Sequence, residues 1–412
     1  MRTLYTLLLY LLMPLVLLRL LWRGVALRDY WQRWNERFGF VAASPQPVAV
    51  WVHAVSVGES LAALPLIRRL VQQHGRGRVL VTTMTPTGSA RVREALKEDV
   101  LHTYLPYDLP DAIARFLTRM RPQRVVVMET ELWPNLFRAL AARRIPLTIA
   151  NARLSPRSFR GYSRVRGFAA ATLADCAHIA AQSEADAERF RQLGAAADRV
   201  SVMGNIKFDM TLPDTQIAQG RALRDGAPVW IAASTHEGEE EAALAAHRQI
   251  LETLPQARLI LVPRHPQRFD AAAKLVERSG FTLARRSTGL PASAQVWLGD
   301  SMGEMFFYFA AADAAFVGGS LVPVGGHNVL EPAALGLPVL FGPHMHNFVA
   351  ARELLLEKSA AVEVADAIGL AAAMTMLLTN SSKARAMGDA GKTAVAANRG
   401  ALERLLTILQ SS

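Results

Sequence analysis

One cysteine, Cys176, stands among 412 residues. No intramolecular disulfide and no Cys-rich zinc site can be built from it, and its scarcity fits a reducing compartment. The sequence also has no Walker A lysine motif and no HExxH, and the turn after the first expected strand lacks GxGxxG. The last absence disfavours a nicotinamide enzyme. No Asp-x-Asp pair occurs, so nothing calls for a divalent metal, and no cofactor is implied. Acidic residues are in deficit: Asp and Glu number 35 against 46 Lys and Arg, a net charge of +11. That surplus favours an anionic partner, whether nucleic acid, anionic lipid or a phosphorylated substrate. There is no low-complexity tract and no clear internal repeat.

What is present is globular. Hydrophobic residues make up 51% and charged residues 20%. At roughly 100–200 residues per domain, the length predicts two or three domains. The N-terminus is the exception to that composition. Residues 3–18 carry no charge and are mostly leucine, and Leu20-Leu21-Trp22 extend the run past Arg19. Sixteen residues make about 24 Å of helix, short of a ~30 Å hydrocarbon core, and the extension makes up the difference. No small-x-small cleavage site follows, so residues 1–22 read as an uncleaved membrane anchor rather than a signal peptide. A buried core helix is the competing reading. Arg23, Arg28, Arg33 and Arg37, interleaved with Trp22, Tyr30, Trp31 and Trp34, read as an interfacial segment on anionic lipid over residues 23–46. By the positive-inside rule that side is cytoplasmic.

From Pro47 onward short β-branched runs alternate with helical stretches. Expected strands are Val48–Val52, Val79–Thr83, Val125–Met128, Leu147–Ala150, Ile179–Ala181 and Val200–Met203. A second series runs Val229–Ala232, Leu259–Val262, Val296–Leu298, Ala314–Val317, Pro338–Phe341 and Ala361–Val364. Alternating βαβ units imply two doubly wound parallel sheets with helices on both faces. Turn and linker chemistry at 213–227 separates them. The expected domains are therefore 47–212 and 228–395, with a closing helix in 396–412, and ligands are expected in a cleft outside the strand ends.

The motifs lie at those ends. His53-Ala54-Val55-Ser56-Val57-Gly58-Glu59-Ser60 places Glu59 in a first helical turn, where a carboxylate is also an ordinary cap and the dipole should lower its pKa. Met128-Glu129-Thr130-Glu131 puts two acids around one threonine directly after a strand; Pro134 fits helix position N1, so one acid could merely serve the helix start. Gly204-Asn205-Ile206-Lys207 puts a lysine beside the linker. Ala233-Ser234-Thr235-His236-Glu237-Gly238-Glu239 opens a helix and offers an anion site. Val262-Pro263-Arg264-His265-Pro266 frames Arg264 and His265 between prolines, suiting a phosphate or a ring face. Gly299 to Met305 starts a further helix. Gly318-Gly319-Ser320 and Gly325-Gly326 lead to Asn328 and Glu331, which reads as a phosphate cradle of backbone N–H groups with an acid for ribose hydroxyls. An Asn328/Glu331 capping box is the plain alternative.

Together, HAVSVGES, METELWPN, GNIKFD, VPRHP and GGHNVLEP resemble the 3-deoxy-D-manno-octulosonic acid (Kdo) transferases of lipid A and lipopolysaccharide assembly, in order and with ordinary spacing to about residue 395. The resemblance implies a GT-B fold and a metal-independent, inverting transferase. CMP-Kdo would be the donor and the tetraacyl disaccharide bisphosphate precursor of lipid A the acceptor, at the cytoplasmic face of the inner membrane, with no nucleic-acid partner. It implies that Glu59 is the general base and that Glu129 and Lys207 stabilise the transition state. Arg264, His265, Met302, Gly303, Glu304, Asn328, Val329, Leu330 and Glu331 would contact CMP. Val329 stands where many relatives would have proline. Two other readings compete: a nucleotide-sugar epimerase of the same architecture, and a non-catalytic lipid-binding protein. The first needs no lipid acceptor, and the second leaves the acid-bearing strand ends unexplained.

Overall fold

The computed structural model describes residues 1–291 and 293–411. Residues 292 and 412, within the expected second domain and closing helix, lie outside the described residues. Two compact units result: Met1–Asp209 with the segment from Arg399, and Met210–Asn398.

The first unit is built on strands β1 (Val50–His53), β2 (Val79–Thr83), β3 (Leu101–Tyr104), β4 (Val125–Met128), β5 (Leu147–Ala152), β6 (His178–Ala181) and β7 (Val200–Val202). They form one parallel sheet in the order β3-β2-β1-β4-β5-β6-β7. The β1, β2 and β4 strands are buried along their full length, as a sheet covered on both faces requires. Order reverses between β1 and β4, and the crevice outside the carboxyl ends there is where open α/β sheets take ligands.

The second unit repeats the plan with β8 (Val229–Thr235), β9 (Arg258–Pro263), β10 (Leu283–Arg285), β11 (Val296–Leu298), β12 (Ala314–Val317), β13 (Val339–Phe341) and β14 (Ala361–Glu363). The sheet is parallel in the order β10-β11-β9-β8-β12-β13-β14, so its reversal falls between β8 and β12.

Three sequence readings change. Residues 213–227 are not a plain linker. They contain a helix, Asp214–Arg221, packed in the second unit so closely that a Cβ at Gly220 would lie 2.1 Å from the Phe307 carbonyl. The last helix, Ala401–Ser411, belongs with the first unit: Asp209 accepts from the Gly400 and Leu402 N–H groups, and Leu405, Leu406 and Leu409 are buried there. The basic, aromatic segment expected on lipid turns partly into the protein. Arg37 is 2% exposed, sits over the Tyr104 ring and donates to the Met84 carbonyl, while Arg33 pairs with Glu36. Arg23 and Arg28 stay on the surface.

The N-terminal helix itself runs Arg2–Ala26. Among the described residues it is the one helix long and apolar enough to cross a membrane. Its first turns are tied to the first unit by polar side chains: Arg2 to Asp175, Tyr5 to Asp108 and Thr6 to Asn135, each at 3.0 Å, and Tyr10 to Asp111. Leu4, Leu7, Leu11, Leu15, Leu18 and Trp22 are exposed. A row of exposed leucine is the surface a lipid phase would cover.

Candidate active site

In the first unit the candidate residues gather at the sheet reversal. Ser56 caps helix Val57–His74, accepting from the Glu59 N–H. Glu59 answers by accepting from Ser56 Oγ at 2.8 Å and from the Val55 N–H at 2.8 Å. The capping role is thus real, and it holds the carboxylate rigidly beside β1. Glu129 follows β4, the neighbouring strand, with φ 56°, a left-handed conformation uncommon outside glycine and a frequent mark of functional strand ends. Its carboxylate lies 3.6 Å from Lys207 Nζ. Lys207 is carried by the short turn Ile206–Phe208. That turn is pinned by two asparagines: Asn151 Oδ1 accepts from the Ile206 N–H, and Asn205 Oδ1 accepts from the Lys207 N–H. Residues distant in sequence, Glu59, Glu129 and Lys207, therefore meet at one end of one sheet.

Electrostatics there depart from the sequence reading. The helix dipole was expected to lower the Glu59 pKa. Burial instead raises it, against the pull of the Ser56 and Val55 hydrogen bonds, with Glu129 adding to the rise. Glu131 goes further, up to about 7, through burial and then the charges of Glu59 and Glu129. Of the two acids around Thr130, Glu129 is the one matched to the lysine and Glu131 is the one held near neutrality. The spacing ExE could not distinguish them.

In the second unit, Arg264 and His265 leave the end of β9, and Met302-Gly303-Glu304 follows β11, with Glu304 bound by Arg286 at 2.9 Å. Asn328, Val329, Leu330 and Glu331 follow β12. Asn328 Oδ1 accepts from the Leu330 N–H and Asn328 Nδ2 donates to Glu331 Oε1. No backbone N–H of Asn328 is returned to Glu331, so the motif is not a capping box. Burial raises the Glu331 pKa, opposed by Asn328 and Arg264.

The glycine cradle is a correction. The N–H groups of Gly319, Ser320 and Leu321 and that of His236 all donate to the carboxylate of Glu239, at 2.6–3.0 Å. Glu239 is 0% exposed. Gly325 and Gly326 N–H groups donate to the Gly319 carbonyl. The nest is thus filled by an internal anion, and its N–H groups are spent. What the glycines secure is close packing: a Cβ at Gly319, φ 69°, would meet the His327 ring at 2.9 Å. Arg264 and His265, marked in the sequence by the VPRHP motif, gather at this reversal with His236 and His327, which sequence reasoning did not single out. His236 and His327 lie end to end in nearly one plane, with ring centroids 5.1 Å apart and Nε2 atoms 2.8 Å apart, and His265 stands edge-on to His236 at 5.4 Å. Among the described residues, no group of three or more His, Cys, Asp or Glu is arranged to hold a metal ion.

Residues 32–210 match the family model described as 3-deoxy-D-manno-octulosonic-acid transferase (kdotransferase). Over 418 aligned residues the chain is 43% identical to the 3-deoxy-D-manno-octulosonic acid transferase of Haemophilus influenzae, covering 99% of this chain and 98% of that one. The chain belongs to the Kdo transferase family. It is therefore a glycosyltransferase. The namesake enzyme of Bordetella pertussis is 39% identical over 430 residues, 99% of each chain. Among solved structures, UDP-GlcNAc 2-epimerase from Neisseria meningitidis superposes with a TM-score of 0.57 at 15% identity, over 88% of this Kdo transferase and 100% of that chain. A glycosyltransferase from Rickettsia africae gives 0.56 at 14%, over 89% and 98%. At such identities the likeness is one of fold, and the fold is GT-B-like.

Proposed function

We propose that this Kdo transferase moves Kdo from CMP-Kdo to the tetraacyl disaccharide bisphosphate precursor of lipid A in lipopolysaccharide biosynthesis, with inversion and without a metal. The observation that carries the reading is the meeting of Glu59, Glu129 and Lys207 at the reversal of the first sheet. An acceptor hydroxyl there attacks the anomeric carbon of Kdo. Glu59 takes the hydroxyl proton, the new C–O bond forms, and the bond to the phosphate oxygen breaks, with CMP leaving on the opposite face. A carboxylate whose pKa is raised toward the working pH is suited to that task. The Glu129–Lys207 pair supplies a fixed dipole for the charge that develops. Arg264 and His265, the 302–304 turn and the 328–331 segment hold CMP, with Glu331 accepting from ribose hydroxyls and Arg264 meeting the phosphate as a charge-assisted donor.

The N-terminal helix with its exposed leucines, exposed Arg19 and Arg23 in its last turns and exposed Arg28 just after it fits an enzyme held at the cytoplasmic face of the inner membrane, where an acylated, doubly phosphorylated acceptor resides. The direct test is incubation of the purified protein with labelled CMP-Kdo and the lipid precursor, with EDTA in a parallel sample. A Kdo–lipid product in both samples is expected. Free epimerised sugar nucleotide, no product, or activity lost to EDTA and restored by Mg²⁺ would contradict the reading.

A further inference from the structure

Length and composition would let the N-terminal helix cross a bilayer, but its contacts place both of its ends on the same folded unit. Two faces run along it. Tyr5, Leu9, Met13, Val16, Leu20 and Gly24 recur every three or four residues and are buried or half-buried. Leu4, Leu7, Leu11, Leu15, Leu18 and Trp22 recur in the same way on the opposite side and are exposed.

The covered face is fixed at each end. At the start, Arg2 pairs with Asp175 at 3.0 Å, and the Tyr5 and Thr6 hydroxyls donate to Asp108 and Asn135 at 3.0 Å. The Tyr5 ring packs 5.4 Å from that of Phe168. At the far end the Trp31 indole donates to the Leu21 carbonyl at 3.0 Å, and it lies so close that a Cβ at Gly24 would overlap it. A few residues on, Glu36 accepts from the Tyr104 N–H and Arg37 donates to the Met84 carbonyl, so the chain has joined the first sheet.

A crossing helix would set Arg2 and Arg28 on opposite sides of ~30 Å of hydrocarbon. Asp108, Asn135 and Asp175 belong to the same unit as residues 28–38. Arg2, Tyr5 and Thr6 reach them only from the side on which that unit sits. A crossing would also carry the Tyr5 and Thr6 hydroxyls into acyl chains without those partners, which desolvation penalises. The basic residues suit the other arrangement. Arg19 and Arg23 are exposed and project between the two faces, with exposed Arg28 just beyond, where the cations of a surface-lying helix reach anionic headgroups.

We propose, on the reading of this helix as the membrane attachment, that it lies in the plane of one anionic leaflet and does not cross. Its leucine face enters the acyl chains, its tyrosine face stays on the protein, and both ends remain on the side of the catalytic units. The first unit is then held flush against the leaflet along about 37 Å of helix, in one orientation, rather than on a stalk.

Two measurements on the full chain test this. Cys176 is 1% exposed, so the wild-type chain sets a low thiol background. In sealed, inverted inner-membrane vesicles from expressing cells, Thr3→Cys and Gln73→Cys, both at exposed positions, should react equally with an impermeant maleimide added outside. Thr3→Cys reacting only after permeabilisation, while Gln73→Cys reacts without it, overturns the inference. Spin labels on Leu4→Cys, Leu11→Cys and Leu18→Cys, in vesicles of equal phosphatidylcholine and phosphatidylglycerol, should sit at one common depth. A label at residue 11 about 10 Å deeper than the other two, the rise of seven helical residues, means a crossing helix and overturns the inference while the attachment reading stands. Labels that all stay in water, with the chain recovered in the soluble fraction, overturn the attachment reading and the inference together.

Discussion

Glu59 is at once a helix cap and the candidate base, and the two roles make different predictions. Glu59→Gln keeps one acceptor, for the Val55 N–H, and the Ser56 side chain still accepts from the N–H of residue 59, so the helix start survives. Turnover should fall roughly 10²–10⁴-fold, the usual contribution of a general base. CMP affinity should hold, because Glu59 lies in the first unit and the candidate nucleotide contacts lie in the second. A Gln variant with near-normal turnover would reduce Glu59 to its capping role. Glu331 poses the same question for binding. Its carboxylate accepts from the Asn328 amide at 3.0 Å and feels the Arg264 charge. Glu331→Ala should weaken CMP binding by about 1.5–3 kcal/mol, the range for hydrogen bonds to a charged group. Calorimetry beside a melting curve decides: a change confined to the melting temperature would mean a structural role alone.

The N-terminal helix behaves differently from the other elements, because little of it is buried and its ties to the protein are polar. Asp108, which accepts from Tyr5, also accepts from the Asn135 and Leu136 N–H groups at the start of helix Pro134–Ala142, so it keeps partners when the N-terminal helix is removed. A chain beginning near Ala26 should therefore remain folded and bind CMP normally. It should process detergent-dispersed acceptor, yet work poorly on acceptor in vesicles and sediment less with them. Each exposed basic residue near an anionic surface contributes about 1 kcal/mol, so losing Arg19 and Arg23 with the leucines compounds the effect. Equal vesicle binding and activity with and without the helix would make it a packed structural element instead. The elements that escaped sequence reading have a common cause. Strands β3, Leu101-His102-Thr103-Tyr104, and β10, Leu283-Ala284-Arg285, lie at the outer edges of their sheets. An edge strand is solvated on one side, so it tolerates the His102 and Thr103 of β3 and the Arg285 of β10; the other two edge strands, β7 and β14, are legible from their valines.

At the scale of the whole molecule, neutral imidazoles are part of both cores. His53 is held down to about 4 by burial, His247 to about 4, and His102 to about 3 with Arg33 and Arg93 adding to burial. His247 accepts from Trp230 Nε1 at 3.2 Å, which only a ring nitrogen without a hydrogen can do. Above pH 6.5 these rings are neutral in both folded and unfolded chains and contribute nothing to pH dependence. As pH falls through 6.5, the unfolded chain binds protons that the folded chain refuses, so stability declines until the folded pKa values near 3–4 are reached. Each pH unit of depression corresponds to about 1.4 kcal/mol per group. Melting temperature should fall steadily between neutrality and about pH 4, and His247→Gln should make that fall shallower. A melting temperature constant over this interval would show that the rings are not held neutral.

The sequence by itself determined the two parallel sheets, because βαβ alternation is written in local periodicity and parallel pairing then follows from the handedness of the crossover. It also marked which strand ends bear acids, lysine, arginine and glycine, since turn chemistry is local. Tertiary structure decided the rest, because the rest depends on what lies nearby in space. Glu129 rather than Glu131 pairs with Lys207 because the turn held by Asn151 and Asn205 delivers the lysine there. Burial overrides the dipole at Glu59 because desolvation acts on the whole carboxylate while the hydrogen bonds offset only part of it. Glu239 fills the glycine nest and Arg37 turns inward against the Tyr104 ring, because each finds its partners on a segment far along the chain. Local periodicity specifies elements; partners, pKa values and exposed charge exist only once those elements are packed.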